Sequence, residues 1–127
     1  MDPTNFLLVI LESPFAGKDP AEFCEFDIYL NRCLADCLSR KEAPFASHAI
    51  YTRPGVLDDT IAAQRVYGMH AGFSYKLATQ VTVVYTDYGI SSGMQKGIDY
   101  SIALGHTIEY RQIGKNVRDD YAGTRGD

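Results

Sequence analysis

The 127-residue sequence has no tryptophan, few cysteines and no surplus of basic residues. Twelve lysines and arginines stand against 16 aspartates and glutamates, which gives a formal charge of −4. Contacts with phosphates dominate the affinity of proteins for nucleic acids, and an acidic chain without a basic stripe offers few of them. We therefore expect no duplex DNA or RNA partner, whereas one small anionic ligand needs only a local cluster of donors.

Long apolar runs are also missing. The chain begins MDPTNFLLVILESP, with an acid near the start and Glu12 at the end of the apolar stretch. A secretory signal needs a basic start, and a membrane span needs about 20 apolar residues. We therefore expect a cytoplasmic protein that does not associate with membranes.

Recognisable metal and nucleophile motifs are absent as well. The cysteines Cys24, Cys33 and Cys37 lie within one predicted helix, and no paired histidine or cysteine completes a four-ligand zinc site. The sequence contains no nucleophile elbow, phosphate loop, HExxH or CxxC motif. We expect no metal and no cofactor, and we interpret the cysteines as small buried apolar residues.

What is present is an alternation of strand and helix signals in a chain long enough for one hydrophobic core. The alternation predicts an α/β domain with a mostly parallel sheet of four to five strands, covered by helices on both faces. Residues 114–127 show no apolar period, so we predict a single domain over 1–113 and a flexible polar tail over 114–127. The predicted strands cover 6–11, 43–52, 81–85 and 106–112, and the predicted helices run from a cap at Asp19 to about 41, from a cap at Asp59 or Thr60 to 77, and over 94–104.

Two glycines, Gly68 and Gly72, lie four residues apart inside the second predicted helix. Each lowers helix propensity by about 1 kcal/mol relative to alanine. Glycine at this spacing lets another backbone approach. The pattern therefore predicts a tight helix contact, either within the chain or across a subunit interface.

The loop after the strongest strand signal carries polar residues where ligands of such sheets bind, beyond the carboxyl ends of the strands. Ser91 and Ser92 put hydroxyls beside the free N–H groups of a helix start, which is an anion site. Gly93 lets the backbone approach a ligand, and Asp87 can accept hydrogen bonds from a ribose diol. An ordinary strand–turn–helix connection with Ser92 as the cap fits the pattern equally well.

The loop after the first strand, SPFAG, offers a second set of candidates. Ser13 can donate a hydrogen bond, Phe15 can stack on a base, and Gly17 can form a tight turn. The alternative is that Phe15 simply packs in the core.

Three further candidates come from the second predicted strand and the loop that follows it. His48, at its end, can titrate near neutral pH, or it is a structural hydrogen-bonding histidine, which we favour. Asp58 and Asp59 can be paired carboxylates that serve acid–base chemistry or bind a metal. Alternatively, they form a turn followed by a helix cap. We favour the cap for Asp59.

Together these loops resemble a known pattern. VILESPFAG resembles the first strand and loop of the nucleoside 2-deoxyribosyltransferase-like superfamily, and EAPFASHAIYT, VLDDT and VVYTDYGISSGMQKGIDYSIALGHTIEY resemble a small branch of it found in phage and bacterial genomes. The resemblance covers about residues 6–112. It implies a flavodoxin-like three-layer domain and a homo-oligomer whose neighbouring subunit partly closes the site. It also adds Met94 to the ligand-binding residues, and a phage-encoded member would act in the host cytoplasm.

The resemblance also suggests where catalysis would occur. Members of this superfamily cleave N-glycosidic bonds with a glutamate on the helix after the serine-glycine loop. In the family pattern, an alanine follows this glutamate by four residues. If Ser101 is aligned with that alanine, Gly97 stands where the glutamate would be. The nearest carboxylate is then Asp99. Two residues on a helix turn by about 200°, so Asp99 would point away from the side that Gly97 faces.

Two functions follow as hypotheses. In the first, the protein binds a nucleoside- or nucleotide-like small molecule without turning it over, and sequesters a signal such as an ADP-ribose derivative. In the second, it is an active N-glycosidase or nucleoside deoxyribosyltransferase in which Asp99 supplies the carboxylate. A pure interaction module is a third possibility.

Overall fold

A computed structural model describes residues 4–114, which form an α/β domain around an all-parallel sheet. The strands are β1 (Leu7–Glu12), β2 (Glu42–Phe45), β3 (Val81–Tyr85) and β4 (Thr107–Arg111), and the helices are α1 (Pro20–Ser39), α2 (Ala62–Tyr75) and α3 (Ser92–Ala103). The four strands lie in the order β2-β1-β3-β4. This architecture confirms the predicted flavodoxin-like three-layer domain.

The sheet separates two differently packed faces, because successive side chains of a strand point to opposite sides. The larger core lies on the α1 side and contains Val9, Leu11, Tyr29, Leu30, Cys33, Cys37, Ala46, Val83 and Tyr85. On the other side, Val84 packs with Met94 and Ile98 of α3. Because the chain leaves the neighbouring strands β1 and β3 towards opposite faces, a crevice opens at their carboxyl ends.

Helix α1 begins as its sequence predicts. Asp19 is the N-cap, its carboxylate accepting a hydrogen bond from the Glu22 N–H at 2.8 Å, and Pro20 occupies the first helical position. The interpretation of the cysteines is right for Cys33 and Cys37, which are fully buried, but wrong for Cys24, which is exposed. Cys24 lies outside the three- and four-residue steps that put the other two against the sheet.

Helix α2 begins later than predicted, and neither Asp59 nor Thr60 caps it. Its N-cap is Ile61, which makes no side-chain cap hydrogen bond. Asp58 instead folds the preceding turn, because its carboxylate accepts from the Thr60 N–H at 3.0 Å and the Thr60 hydroxyl at 2.6 Å. The sequence also predicts that Ala62, Val66, Met69, Phe73 and Leu77 form one buried apolar stripe, which is only partly right, since Val66 and Leu77 are 46% and 71% exposed.

Strand β2 is shorter than predicted, so His48 does not end a strand. It lies in a 3₁₀ turn over Ser47–Ala49. The turn packs closely on α2, where a methyl group built on Gly72 would lie 2.6 Å from the Ser47 Cβ. The close contact predicted from Gly68 and Gly72 is therefore made within the chain: a methyl group on Gly68 would lie 3.0 Å from the Leu57 Cδ1.

Two further expectations concern the tail of the chain and its relation to membranes. Most of the predicted flexible tail, from 115 onward, lies outside the described residues. Within the described part of the chain, none of the helices combines the length and the apolar character that a membrane crossing requires.

Candidate functional site

A cavity of about 610 Å³ opens at the carboxyl ends of β1 and β3. This volume lies within the range of small-molecule sites. Segments after three strands form it, together with the inner side of α2 and the first two turns of α3. Its lining includes Glu12, Ser13, Phe15, Ser47, His48, Tyr51, Asp59, Arg65, Met69, Phe73, Tyr88, Ser91, Ser92, Gly93, Met94, Lys96 and Gly97.

The start of α3 forms one end of the cavity. Ser91 is the N-cap, and its hydroxyl accepts from the Met94 N–H at 3.2 Å. Ser92 is therefore not the cap; it is exposed and lines the cavity beside Gly93, at the first turn of the helix. Arg65 and Lys96 line the same cavity, and in the described range neither makes an ion pair. The combination favours an anionic group.

The loop after β1 forms the aromatic side of the cavity. Phe15 is only partly buried, and its ring meets Phe23 and His48 edge to face, with centroid distances of 5.7 and 6.2 Å. Ser13 is buried, and its hydroxyl lies 2.9 Å from the His48 Nε2. Burial lowers the pKa of His48 to about 4, so the imidazole is neutral at physiological pH. This pairing is the structural role favoured for His48, and it fixes the wall beside Phe15.

A second cavity of about 500 Å³ adjoins the first on the α1 side. The two share Phe15, His48 and Thr52 among their lining residues. The second one also reaches Cys24 and Arg53. A ligand longer than a nucleoside would therefore find space on both sides of the Phe15 ring.

Glu12, the last residue of β1, brings a carboxylate to the inner end of the main cavity. Its Oε2 lies 3.1 Å from the Lys76 Nζ, and the Lys76 ammonium also donates to the Gly97 carbonyl at 2.5 Å and the Ser101 hydroxyl at 2.9 Å. Burial raises the pKa of Glu12, and the nearby Lys76 charge holds that rise back. A methyl group on Gly97 would lie 2.8 Å from the Glu12 carboxyl carbon, so only glycine leaves room for this carboxylate.

The buried polar cluster continues away from the cavity, towards β4. The Ser101 hydroxyl lies 2.8 Å from that of Thr82, which lies 3.0 Å from the His106 Nδ1. The His106 Nε2 in turn lies 2.8 Å from the Lys76 carbonyl oxygen. These contacts fix the position of Lys76, and through it that of the Glu12 carboxylate.

Of the residues singled out from the sequence, Ser13, Phe15, His48, Ser91, Ser92, Gly93 and Met94 line the main cavity, whereas Gly17, Asp58, Asp87 and Asp99 do not. Gly17 faces the backbone of α1, where an added methyl group would lie 2.5 Å from the Phe23 nitrogen. Asp99 is exposed, and its carboxylate accepts from the Gln95 amide at 2.8 Å.

Asp87 has a structural role. Its carboxylate accepts from the Tyr29 hydroxyl at 2.5 Å and from the N–H groups of Ile113 and Gly114 at 3.0 and 2.6 Å. Burial opposes ionisation, but these donors lower the pKa of Asp87. It thus ties the segment after β4 to α1, and its oxygens are occupied by protein donors.

The residues that sequence reasoning missed are Glu12, Gly97 and Lys76 as one group, together with Arg65 and Lys96. In the sequence, Glu12 marks only the end of an apolar run. One signal is available: Gly97 interrupts a helix without ending it, and a glycine there indicates that another group approaches closely. The sequence carries no sign that this group is Glu12, 85 positions earlier.

In the described range, no group of three or more His, Cys, Asp or Glu side chains is arranged to hold a metal ion.

Comparison with known proteins identifies a family for this chain. No curated protein and no solved structure matches the chain. One family model, described as "Domain of unknown function (DUF7768)", matches residues 7–111, which include every strand and helix described above. The chain therefore belongs to the DUF7768 family.

Proposed function

We propose that the main cavity binds a nucleoside- or nucleotide-like small molecule. The observation that carries the proposal is that Phe15, from the loop after β1, and Ser92 and Gly93, at the start of α3, line one cavity. An aromatic ring beside a helix N-terminus suits a ligand with a flat base at one end and an anionic group at the other. The cations Arg65 and Lys96, which lack an ion-pair partner among residues 4–114, support the anionic end.

The proposal extends to ligands of ADP-ribose type, held intact rather than turned over. The adjoining cavity of about 500 Å³ supports this extension, because it continues the space beyond Phe15 and His48. A ligand with two halves would fill both cavities. Sequestration of such a signal is the biological role that we infer for this binding.

The test is direct binding by calorimetry of adenosine, AMP and ADP-ribose to the wild type and to two variants. Phe15→Ala should weaken binding by about fivefold to a hundredfold, the range expected for a lost base stack. Ser92→Ala should weaken binding of AMP by about threefold to tenfold through one lost hydrogen bond. Both variants should melt close to the wild type.

Matched controls come from the same residue types outside the cavity. Phe6→Ala changes a partly exposed ring near the amino end of the sheet, and Ser74→Ala changes an exposed hydroxyl on α2. Neither should alter binding. Normal affinity in Phe15→Ala and Ser92→Ala would show that the ligand site lies elsewhere, and failure of all three ligands to bind would favour the interaction module.

A second candidate function, N-glycosidase or nucleoside deoxyribosyltransferase, gains support from one observation. The chemistry needs a carboxylate within reach of the anomeric carbon, and Glu12 is a buried carboxylate that lines the cavity. Incubation with nucleosides or NAD, followed by chromatography for free base, separates the two functions. Base release abolished by Glu12→Gln would support the enzyme, and recovery of intact ligand would support the binder.

The resemblance also implies a homo-oligomer, which we carry forward as part of the proposal. Helix α2 and the turn after it expose Val66, Tyr67 and Leu77, with 46%, 71% and 71% of their surface accessible. Large apolar side chains on one outer helix are typical of a contact surface. Sedimentation velocity on the wild type and on Tyr67→Glu tests this part separately.

A further inference from the structure

The Glu12 carboxylate is held by one oxygen. Its Oε2 accepts from Lys76, and all three protons of that ammonium are engaged, by Glu12, Gly97 and Ser101. Within residues 4–114, no donor reaches the other oxygen, Oε1. An ionised carboxylate only accepts hydrogen bonds, so Oε1 has unused capacity.

This free oxygen is open to the cavity. Among the described residues, every fully buried side-chain nitrogen or oxygen has a hydrogen-bond partner. Because Oε1 has none, it is not fully buried, although the Glu12 side chain is only 14% exposed. Glu12 lines the main cavity, so the cavity is the space that Oε1 faces. An unmet acceptor at that depth favours a ligand that brings a donor.

The position of this acceptor relative to the anion site is set by α3. Gly97, above which the carboxylate lies, is four residues after Gly93 at the start of the helix. Four residues rise about 6 Å along a helix, a little more than one turn, and lie on the same side. A sugar ring spans a similar distance between its 5′-phosphate and its ring hydroxyls. A phosphate at Ser92 and Gly93 would thus bring ring hydroxyls to Glu12.

We propose that Glu12 recognises the 2′- and 3′-hydroxyls of a ribose-type ligand, and that this contact makes the site prefer ribonucleotides to ligands without those hydroxyls. The inference rests on the proposed binding function and names its substrate class. Lys76 positions the carboxylate, and Gly97 is the position that admits it. The role predicted for Asp87, acceptor for a diol, belongs to Glu12.

The experiment compares the affinities of AMP and 2′,3′-dideoxy-AMP by calorimetry. The wild type should bind AMP at least tenfold more tightly, as expected for hydrogen bonds to a charged acceptor. Glu12→Ala should weaken AMP binding and bring the ratio of the two affinities close to one. Glu109→Gln, which changes a half-exposed carboxylate on β4 outside the cavity, should keep the wild-type ratio.

A relocation of the carboxylate sharpens the test. In the Glu12→Ala background the space beside Gly97 is empty, so Gly97→Glu can supply a carboxylate from α3 instead of β1. The double variant Glu12→Ala/Gly97→Glu should recover a preference for AMP. If Glu12→Ala leaves Lys76 too poorly paired for folding, Glu12→Met/Lys76→Met removes both charges and should show the same loss of preference.

The outcomes separate this inference from the proposed function. Equal binding of the two nucleotides by the wild type, or an unchanged preference in a folded variant without Glu12, would overturn the role of Glu12 and leave the binding function standing. Binding of neither AMP nor ADP-ribose by the wild type would overturn both. Loss of preference in Glu12→Ala with recovery in the double variant supports both.

Discussion

On the α1 face of the sheet, Arg111 donates to both oxygens of Glu42, at 2.8 and 2.6 Å, and also to the Tyr85 hydroxyl at 3.0 Å. On the opposite face, Lys76 reaches one oxygen of Glu12 at 3.1 Å and leaves the other oxygen open to a cavity. Each pair joins residues far apart in the chain, and each is largely buried. They differ in whether both oxygens of the carboxylate accept hydrogen bonds from protein donors.

That difference separates a structural ion pair from a candidate functional one. Both oxygens of the Glu42 carboxylate accept from the arginine fork, so this pair ties the two edge strands, β2 and β4, to each other. The Glu12 carboxylate keeps the same kind of charged partner but presents one oxygen to a space of ligand size. A largely buried carboxylate with a raised pKa that lines a cavity makes Glu12 a candidate functional residue.

The largest expected effect comes from breaking the closed pair. Arg111→Met leaves Glu42 buried without a partner, and loss of one member of a buried ion pair costs about 3–5 kcal/mol. Urea unfolding should show this loss in the free energy of unfolding. Arg111→Met/Glu42→Leu, which removes both charges, should recover most of the loss. A cost below about 1 kcal/mol for Arg111→Met would mean that the Arg111–Glu42 pair does not have the structural role described.

The next effect concerns His48 in the cavity wall. Its pKa is lowered to about 4 in the folded protein, against about 6.5 for an exposed histidine, because burial disfavours the charged form. The folded state therefore favours the neutral imidazole. The resulting stability is fully present above pH 6.5 and is lost as the pH falls towards 4, by at most about 3 kcal/mol.

His48→Gln isolates this effect, because glutamine can keep a hydrogen bond to Ser13 but does not titrate. Unfolding by urea at pH 7 and at pH 4 should show that the wild type loses more stability than His48→Gln across this interval. Equal losses in wild type and variant would show that His48 titrates normally in the folded state.

The regular elements are the most predictable part of this protein. The run VTVVY predicts β3 over the residues observed, and Asp19 with Pro20 predicts the start of α1, because both signals are local. The 3₁₀ turn at His48 is not predictable, because it packs against Gly72, which lies 24 residues further along the chain. A tertiary contact decides that conformation.

The candidate site divides in the same way. Parallel strands bring the loops after β1 and β3 to one edge of the sheet. Topology therefore predicts that Phe15 and Ser92 line the same cavity. The group formed by Glu12, Lys76 and Gly97 cannot, because its members are contributed by a strand end, a 3₁₀ turn and a helix, and no periodicity links them.

The smallest effect tests how closely that group is packed. Gly97→Ala would press a methyl group against the Glu12 carboxylate, and overpacking of this kind costs about 1–3 kcal/mol. In a Glu12→Ala background the same change should be neutral or stabilising, by up to about 1 kcal/mol, because alanine favours the helix. Gly93→Ala is the matched control on α3, since an added methyl group there meets nothing within 4 Å.

Urea unfolding of the four proteins in the cycle measures the coupling between Gly97 and Glu12. An equal cost of Gly97→Ala in both backgrounds would show that the Glu12 carboxylate is not what requires glycine at position 97. A coupling of the expected size would show that the Glu12 carboxylate is closely packed against Gly97, so that its free oxygen is a property of the site rather than of loose packing.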